Sequence, residues 1–361
     1  MKDCPPDKIL NPLTNRCVSL KGAIGKKLMK ECPPDKILNP LTNRCVSLKG
    51  TIGKKLQKDK RIVCKSSFMS WENNSCYLDS LIIALFNKKD RFIEKYLLDA
   101  NINDYGNDKL KELGNRIKEE LKRIYMTIIG TDRNDKYTCV NFRKLLNNYY
   151  LILKSIMPKI KLIGSNDNWV SSQLDVFELL EFLFMIFDIK NTTKISDANN
   201  PPIYTNFVNM IPIDFILDER KEVKISDIYP SYETMFQLSD KNAYIDKYGR
   251  KHNYYTKRTE ILKADKLLIR VSRNIGSMKL KTRIIPCSSL KFKEGGKLYL
   301  NSLIIHYGSN QGGHYICLFK CNNKWYEYDD LNSKISKIGS LNNIIDNKRY
   351  CNNIVGLVYS K

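Results

Sequence analysis

A thiol, an imidazole and a carboxylate can together cut an acyl bond, and this chain offers few choices for the imidazole. Its 361 residues include three histidines, His252, His306 and His314, against eleven cysteines. Among the cysteines, Cys76 stands out by position. It sits in SWENNSCYLDSLIIALF, residues 70–86, where Leu78, Leu81, Ile82 and Leu85 recur at helical spacing. Ser75 reads as an N-cap, which places Cys76 in the first turn of an amphipathic helix. Free backbone N–H groups and the helix dipole favour a thiolate there, so its pKa is expected to fall. A cysteine nucleophile needs that setting. A buried cysteine at a helix start that merely packs as a small hydrophobe is the alternative.

The matching base is expected far away in sequence. His314 lies in QGGHYICLFKCNNKWYEYDD, residues 311–330. Alternation of Ile316, Leu318, Tyr326 and Tyr328 predicts a hairpin, with His314 starting one strand and Asp329 ending the next. The Gly312–Gly313 pair allows close backbone approach and loop movement. A carboxylate behind a neutral imidazole is the orienting arrangement of a triad. A third feature is QLDVFELLEFLFMIF, residues 173–187, apolar almost all round and therefore predicted as a buried helix. Asp175, Glu178 and Glu181 form an i, i+3, i+6 stripe on it. Carboxylates there require a cationic partner, either a substrate or an internal Lys or Arg.

These elements need a sizeable core, and 42% hydrophobic residues can supply one. No apolar run approaches the roughly 20 residues of a membrane span, so no transmembrane segment is expected. MKDCPP has no apolar signal region, and the scattered cysteines contain no CxxC pair, so a reducing cytoplasm is expected. The net charge is +23, with 14 basic and 5 acidic residues in the first 60. That field can attract nucleic acid, an anionic surface or acidic protein. A solvated, Lys-rich surface of biased composition would give the same count.

The N-terminus carries a duplication. Residues 4–28 and 32–56 differ only at Ala23 against Thr51. Each unit is too small to bury a core, so Cys4/Cys17 and Cys32/Cys45 either close disulfides or share a zinc, the latter disfavoured by spacing and lack of His. The expected domains are repeats at 1–28 and 29–57, a basic linker at 58–66 and a catalytic domain at 67–361.

NSCYLDSLIIALF resembles the cysteine box of the ubiquitin-specific proteases, in which N-T-C-Y-L-N-S-L begins the catalytic helix. The family usually places an oxyanion-binding Asn five residues before the cysteine. Here that residue is Trp71, as in the coronavirus papain-like proteases, whose indole N–H serves that role. QLDVFELL resembles the family's Q-Q-D-A-x-E-F-L box. The resemblance implies that Asp175 and Glu178 bind arginines of ubiquitin's tail; Gln173 matches and Leu174 departs. YLNSLIIHYGS, GGHYIC and KWYEYDD resemble the histidine box, implying His314 as base, Asp329 as third triad member and Asp330 as the second polar residue. His306 matches a histidine that is not the base, and His252 reads as part of an exposed basic hairpin. KLLIRVSR (266–273), IIPCSSL (284–290) and NIVGLVYSK (353–361) are similar to palm segments in the expected order.

The resemblance implies a papain-like α+β cysteine protease with a helical thumb (about 70–190) and β-rich fingers and palm (about 200–361). It implies no cofactor, and fingers that are short and metal-free because CxxC pairs are missing. The expected activity is deubiquitination: hydrolysis of (iso)peptide bonds after ubiquitin's terminal Gly-Gly. The alternatives are an inactive ubiquitin-binding adaptor, or a processing protease for other Gly-Gly substrates. The repeats resemble the two-cysteine adaptor module of large DNA viruses. They imply a viral protein in the host cytoplasm or with the virion, whose N-terminus binds another protein.

Overall fold

The computed structural model describes residues 8–11, 16–19, 35–39, 44–52, 69–129, 138–158, 168–187, 193–197, 200–205, 208–211, 221–237, 244–245, 251–252, 254–275, 278–309, 312–332 and 335–361. The chain forms two units, Met1–Val63 and Cys64–Lys361. In the first, each repeat makes one antiparallel hairpin. β1 (Lys8–Asn11) pairs with β2 (Arg16–Ser19), and β3 (Lys36–Asn39) pairs with β4 (Arg44–Ser47). The register is the same in both, with Ile9 opposite Val18 and Ile37 opposite Val46. Cys45 is disulfide-bonded; the expected pairing with Cys32, and that of Cys4 with Cys17, falls outside the described residues.

The second unit begins with helices. α1 (Cys76–Phe86) is buried along its whole length, as an almost uniformly apolar sequence requires. α2 (Asp108–Ile129) turns Leu110, Leu113, Ile117, Leu121 and Ile124 inward. α3 (Val140–Ile156) offers Phe142, Leu146, Tyr149, Tyr150 and Leu153 to the same core. α4 (Val176–Ile186) completes this layer.

Strands follow. β5 (Thr193–Asp197), β6 (Asn200–Thr205), β8 (Ser231–Gln237) and β9 (Tyr254–Ala264) make a four-stranded antiparallel sheet in the order β6-β5-β9-β8. β9 runs eleven residues, so this expected fingers region is not short throughout. The larger sheet runs β15-β14-β13-β12-β16-β10-β7. Its strands are β7 (Val208–Ile211), β10 (Lys266–Val271), β12 (Lys297–Gly308), β13 (Gly313–Cys321), β14 (Lys324–Tyr328), β15 (Ser336–Gly339) and β16 (Ile354–Ser360). A short β11 (Ser289–Lys291) pairs with β12. Only β7 and β10 pair in parallel in this sheet.

The period of two decides which side chain enters which core. Leu268, Ile304, Cys317, Phe319 and Val358 pack under the helices. Leu267, Ile269, Leu303, Ile305, Leu318, Leu357 and Tyr359 fill the opposite face. The layers are tied by a buried ion pair, Lys266 to Asp90 at 2.6 Å, and by Asn87, whose amide donates to Ser302 Oγ at 2.7 Å. His252 lies in a small hairpin formed by Tyr244–Ile245 and Lys251–His252. Among the described residues, no helix is long and apolar enough to cross a membrane.

Candidate active site

Cys76 is delivered by a tight turn before α1. Asn73 and Asn74 both take positive φ, 48° and 62°, a region that asparagine tolerates better than most residues. Arg143 of α3, 0% exposed, pins this turn from beneath. Its guanidinium donates to the carbonyls of Glu72 (3.0 Å), Asn73 (2.7 Å) and Ser172 (3.4 Å), and its Nε to Trp169 O (2.7 Å). Ser75 precedes the helix but makes no capping bond with its side chain. Its Oγ instead accepts from Glu72 N at 2.9 Å and donates to Asp79 Oδ2 at 2.5 Å.

The thiol does not behave as its helix position predicts. Burial pushes Cys76 up to about 11, with the charges of Asp330 and Asp79 adding to the effect. Backbone hydrogen bonds from Tyr315 and Tyr77 lower it, but by less. Desolvation outweighs the helix terminus here because sheet residues close over the sulfur.

The second half of the site hangs on the β12–β13 turn. A side chain at Gly313 would overlap the Tyr307 carbonyl and crowd His306 Nε2, so glycine is required there. His306 stacks on Tyr315 with ring centroids 4.3 Å apart. Burial and the neighbouring Lys279 hold its imidazole down at about 4, and Lys279 Nζ donates to His306 O at 2.5 Å and Gly308 O at 3.1 Å. His306 is therefore a neutral, structural ring.

His314 lies between two residues tied to the neighbourhood of the sulfur. The residue after it, Tyr315, directs its backbone N–H at Cys76. The residue before it, Gly313, is bonded to Gln173, whose Nε2 lies 3.9 Å from Cys76 Sγ. His314 Nε2 is 2.8 Å from Asp329 Oδ1, which leaves Nδ1 free for the thiol. Asp329 is itself fixed by Leu331 N (3.1 Å) and Asn332 Nδ2 (2.7 Å). Asp330 Oδ1 is 3.6 Å from His314 Nε2. The donor atoms of His314, Asp329 and Asp330 all lie within 4.8 Å of one another, with the imidazole–carboxylate bond at their centre.

Trp71 is 42% exposed and its backbone N–H donates to Asp330 O at 3.3 Å. That bond joins the loop before Cys76 to the loop after β14.

The acidic stripe is partly answered from within. Asp175 caps α4, accepting from Phe177 N (2.8 Å) and Glu178 N (3.3 Å). Tyr315 Oη donates to its other oxygen at 3.4 Å. Arg270 of β10 lies 3.5 Å from both Asp175 and Glu181, over the Phe177 ring. Glu178 is pushed up to about 6 by burial and then by Asp175, against the pull of Arg270.

Of the sequence-predicted residues, His314 and Asp329 are bonded to one another and the residue after His314 reaches Cys76, with Trp71 on the adjoining loop and Asp175 and Glu178 at the head of α4. Arg143 and Arg270 escaped prediction. A signal existed for Arg143: it occupies the apolar face of α3, three residues before Leu146 and seven before Tyr150.

The family model described as ubiquitin carboxyl-terminal hydrolase matches residues 72–350. A solved SAGA DUB module containing Ubp8, Sgf11, Sus1 and Sgf73, bound to monoubiquitin, aligns at 15% identity with a TM-score of 0.52, over 90% of this chain and 80% of that chain. At that identity the likeness concerns the fold, which is the papain-like α+β arrangement. No curated protein matches the sequence.

Proposed function

Because the chain belongs to the ubiquitin carboxyl-terminal hydrolase family, we propose that it is a thiol-dependent deubiquitinating protease cutting (iso)peptide bonds after ubiquitin's terminal Gly-Gly. One observation carries the reading: His314 Nε2 is held by Asp329 at 2.8 Å while the adjoining residues flank the Cys76 sulfur. In this mechanism His314 Nδ1 takes the thiol proton and the sulfur attacks the scissile carbonyl carbon. Collapse breaks the C–N bond, and His314 returns the proton to the leaving amine. Water, deprotonated by the same ring, then hydrolyses the thioester. Trp71, Gln173 and backbone N–H groups near Cys76 are the candidate oxyanion donors. Asp175 and Glu178 would receive the cationic tail, and the monoubiquitin carried by the SAGA module supports that partner.

A second specificity is favoured by Arg270. An internal guanidinium already bridging Asp175 and Glu181 reduces the demand for arginine in the substrate, so other peptides ending in Gly-Gly fit as well. The near-identical hairpins at the N-terminus are read as recruiting another protein in the host cytoplasm, on the strength of their likeness to viral adaptor modules.

The test is incubation with a ubiquitin C-terminal fluorogenic substrate and an electrophilic ubiquitin probe. Hydrolysis and labelling should both be lost in Cys76→Ala while ubiquitin binding remains. Residual hydrolysis of a few per cent in a re-purified Cys76→Ala preparation would remove Cys76 from the mechanism.

A further inference from the structure

Two carboxylates meet beneath the nucleophile. Asp79, one turn after Cys76 on α1, is 0% exposed; Asp330, just beyond β14, is 7% exposed. Their side chains interact directly. Ser75 Oγ donates to Asp79 Oδ2 at 2.5 Å, and the Cys139 thiol also bonds Asp79; among the described residues no protein donor reaches Asp79 Oδ1 or either oxygen of Asp330 in good geometry. Several groups of the described residues face the pair. From α1 come Cys76 and Tyr77, from α3 and its start Arg143 and Cys139, and from the β13–β14 side His314, Tyr328 and Asp329. Arg143 places four of its five N–H donors on carbonyls, and His314 Nε2 is committed to Asp329.

Two ionised carboxylates side by side are costly there, because the Ser75 hydroxyl and the Cys139 thiol answer Asp79 alone. A proton placed between them turns the orphaned oxygens into an O–H···O bond. We propose that Asp79 and Asp330 share one proton, and that the protonated pair is a positioning element that locks α1 to the loop carrying Asp329. It also keeps the charge beside the Cys76 sulfur at one rather than two. This bears on the proposed reaction, but it concerns the ionisation of the thiol and can be read without any substrate. In the motif N-T-C-Y-L-N-S-L the position of Asp79 is Asn, an amide that would donate to Asp330 with no proton to share.

Burial supports the assignment, holding Asp79 up at about 6 against its hydrogen bonds; burial and then the charge of Asp79 hold Asp330 up at about 8. The sign follows. The folded pair keeps a proton that the unfolded chain releases in the ordinary carboxylate range. Its stabilising share is complete below that range and is lost as pH rises through about 8.

The test uses the full chain and its Asp79→Asn variant. Alkylation of Cys76 by iodoacetamide is followed across pH by mass analysis of the Cys76 peptide, and thermal midpoints are taken from pH 6 to pH 9. Asp79→Asn should flatten the fall in midpoint between pH 6 and pH 8, where the parent loses the pair's proton. It should leave alkylation unchanged below about pH 8, where the parent pair carries a single charge, and speed it above that, where the parent pair carries two. Asp330→Asn should do the same, so a misfolded single variant does not end the test. A thermal profile parallel to the parent's, or an unmoved alkylation profile, would overturn the proposal. The outcomes separate cleanly: a protein with the expected alkylation shift but no action on the ubiquitin substrate would reject the proposed function and keep the pair.

Discussion

Gln173 and Gly313 grip one another through both ends of the Gln173 amide: its oxygen accepts from Gly313 N at 3.2 Å and its nitrogen donates to Gly313 O. The Gln173 nitrogen lies 3.9 Å from the Cys76 sulfur. Gln173→Ala should therefore admit a small electrophile more readily, raising Cys76 alkylation severalfold. It should lower kcat for hydrolysis by about fivefold, the scale of one lost hydrogen bond of about 1 kcal/mol. If neither rate moves, the amide neither guards nor aligns the thiol.

Asp175 has two jobs that one substitution can separate. Asp175→Ala removes the α4 cap, costing about 1 kcal/mol, and should lower Tm as well as raise KM. Asp175→Asn still caps, so KM should rise with Tm nearly unchanged. Glu178→Gln should likewise act on KM. A KM that stays fixed in Asp175→Asn and Glu178→Gln would leave the stripe a purely internal feature.

Arg270 is the competitor for that stripe, lying 3.5 Å from Asp175 and Glu181. Arg270→Gln should lower KM for a tail peptide containing arginine more than for one in which glutamine replaces it. Equal effects on the two peptides, measured by steady-state kinetics, would show that Arg270 only packs on Phe177.

Asp329→Asn would present an N–H to His314 Nε2 and favour the wrong tautomer. A kcat loss of about 10²–10⁴ is expected, with KM little changed. Single-turnover measurements on the fluorogenic substrate check it, and near-normal turnover would shift the orienting role to Asp330, 3.6 Å away.

Trp71→Phe keeps the backbone bond to Asp330 O but deletes the indole donor. If the indole holds the oxyanion, kcat falls by about 10²–10³. Unchanged kcat in a folded variant leaves Gln173 Nε2 and backbone N–H groups as the donors.

The local chemistry of the site was legible because it is written in short words. The apolar spacing after Ser75 predicts α1, and the alternation from Ile316 to Tyr328 predicts β13 and β14. What could not be read is whatever arises when remote segments close together. The helix terminus at Cys76 argues for a low thiol pKa, yet burial and then the charge of Asp330, far along the chain, raise it against the backbone hydrogen bond from Tyr315. Ser75 looks like a cap, but Asp79 claims its hydroxyl. Arg270 reads as one basic residue in a strand, and only the packing of β10 beside α4 reveals what it answers.

The position of β16 has a consequence for the order in which a working enzyme is made. This strand sits between β10 and β12, pairing Leu268 with Val358 and Leu303 with Leu357. It is the seam joining both halves of the sheet on which α1 rests. During synthesis Cys76 leaves the ribosome long before residues 354–360 do. Until they arrive, β12 and β13 have no finished support from which to bring His314 to the thiol. A nascent chain therefore carries the nucleophile candidate without its base until the sheet is closed.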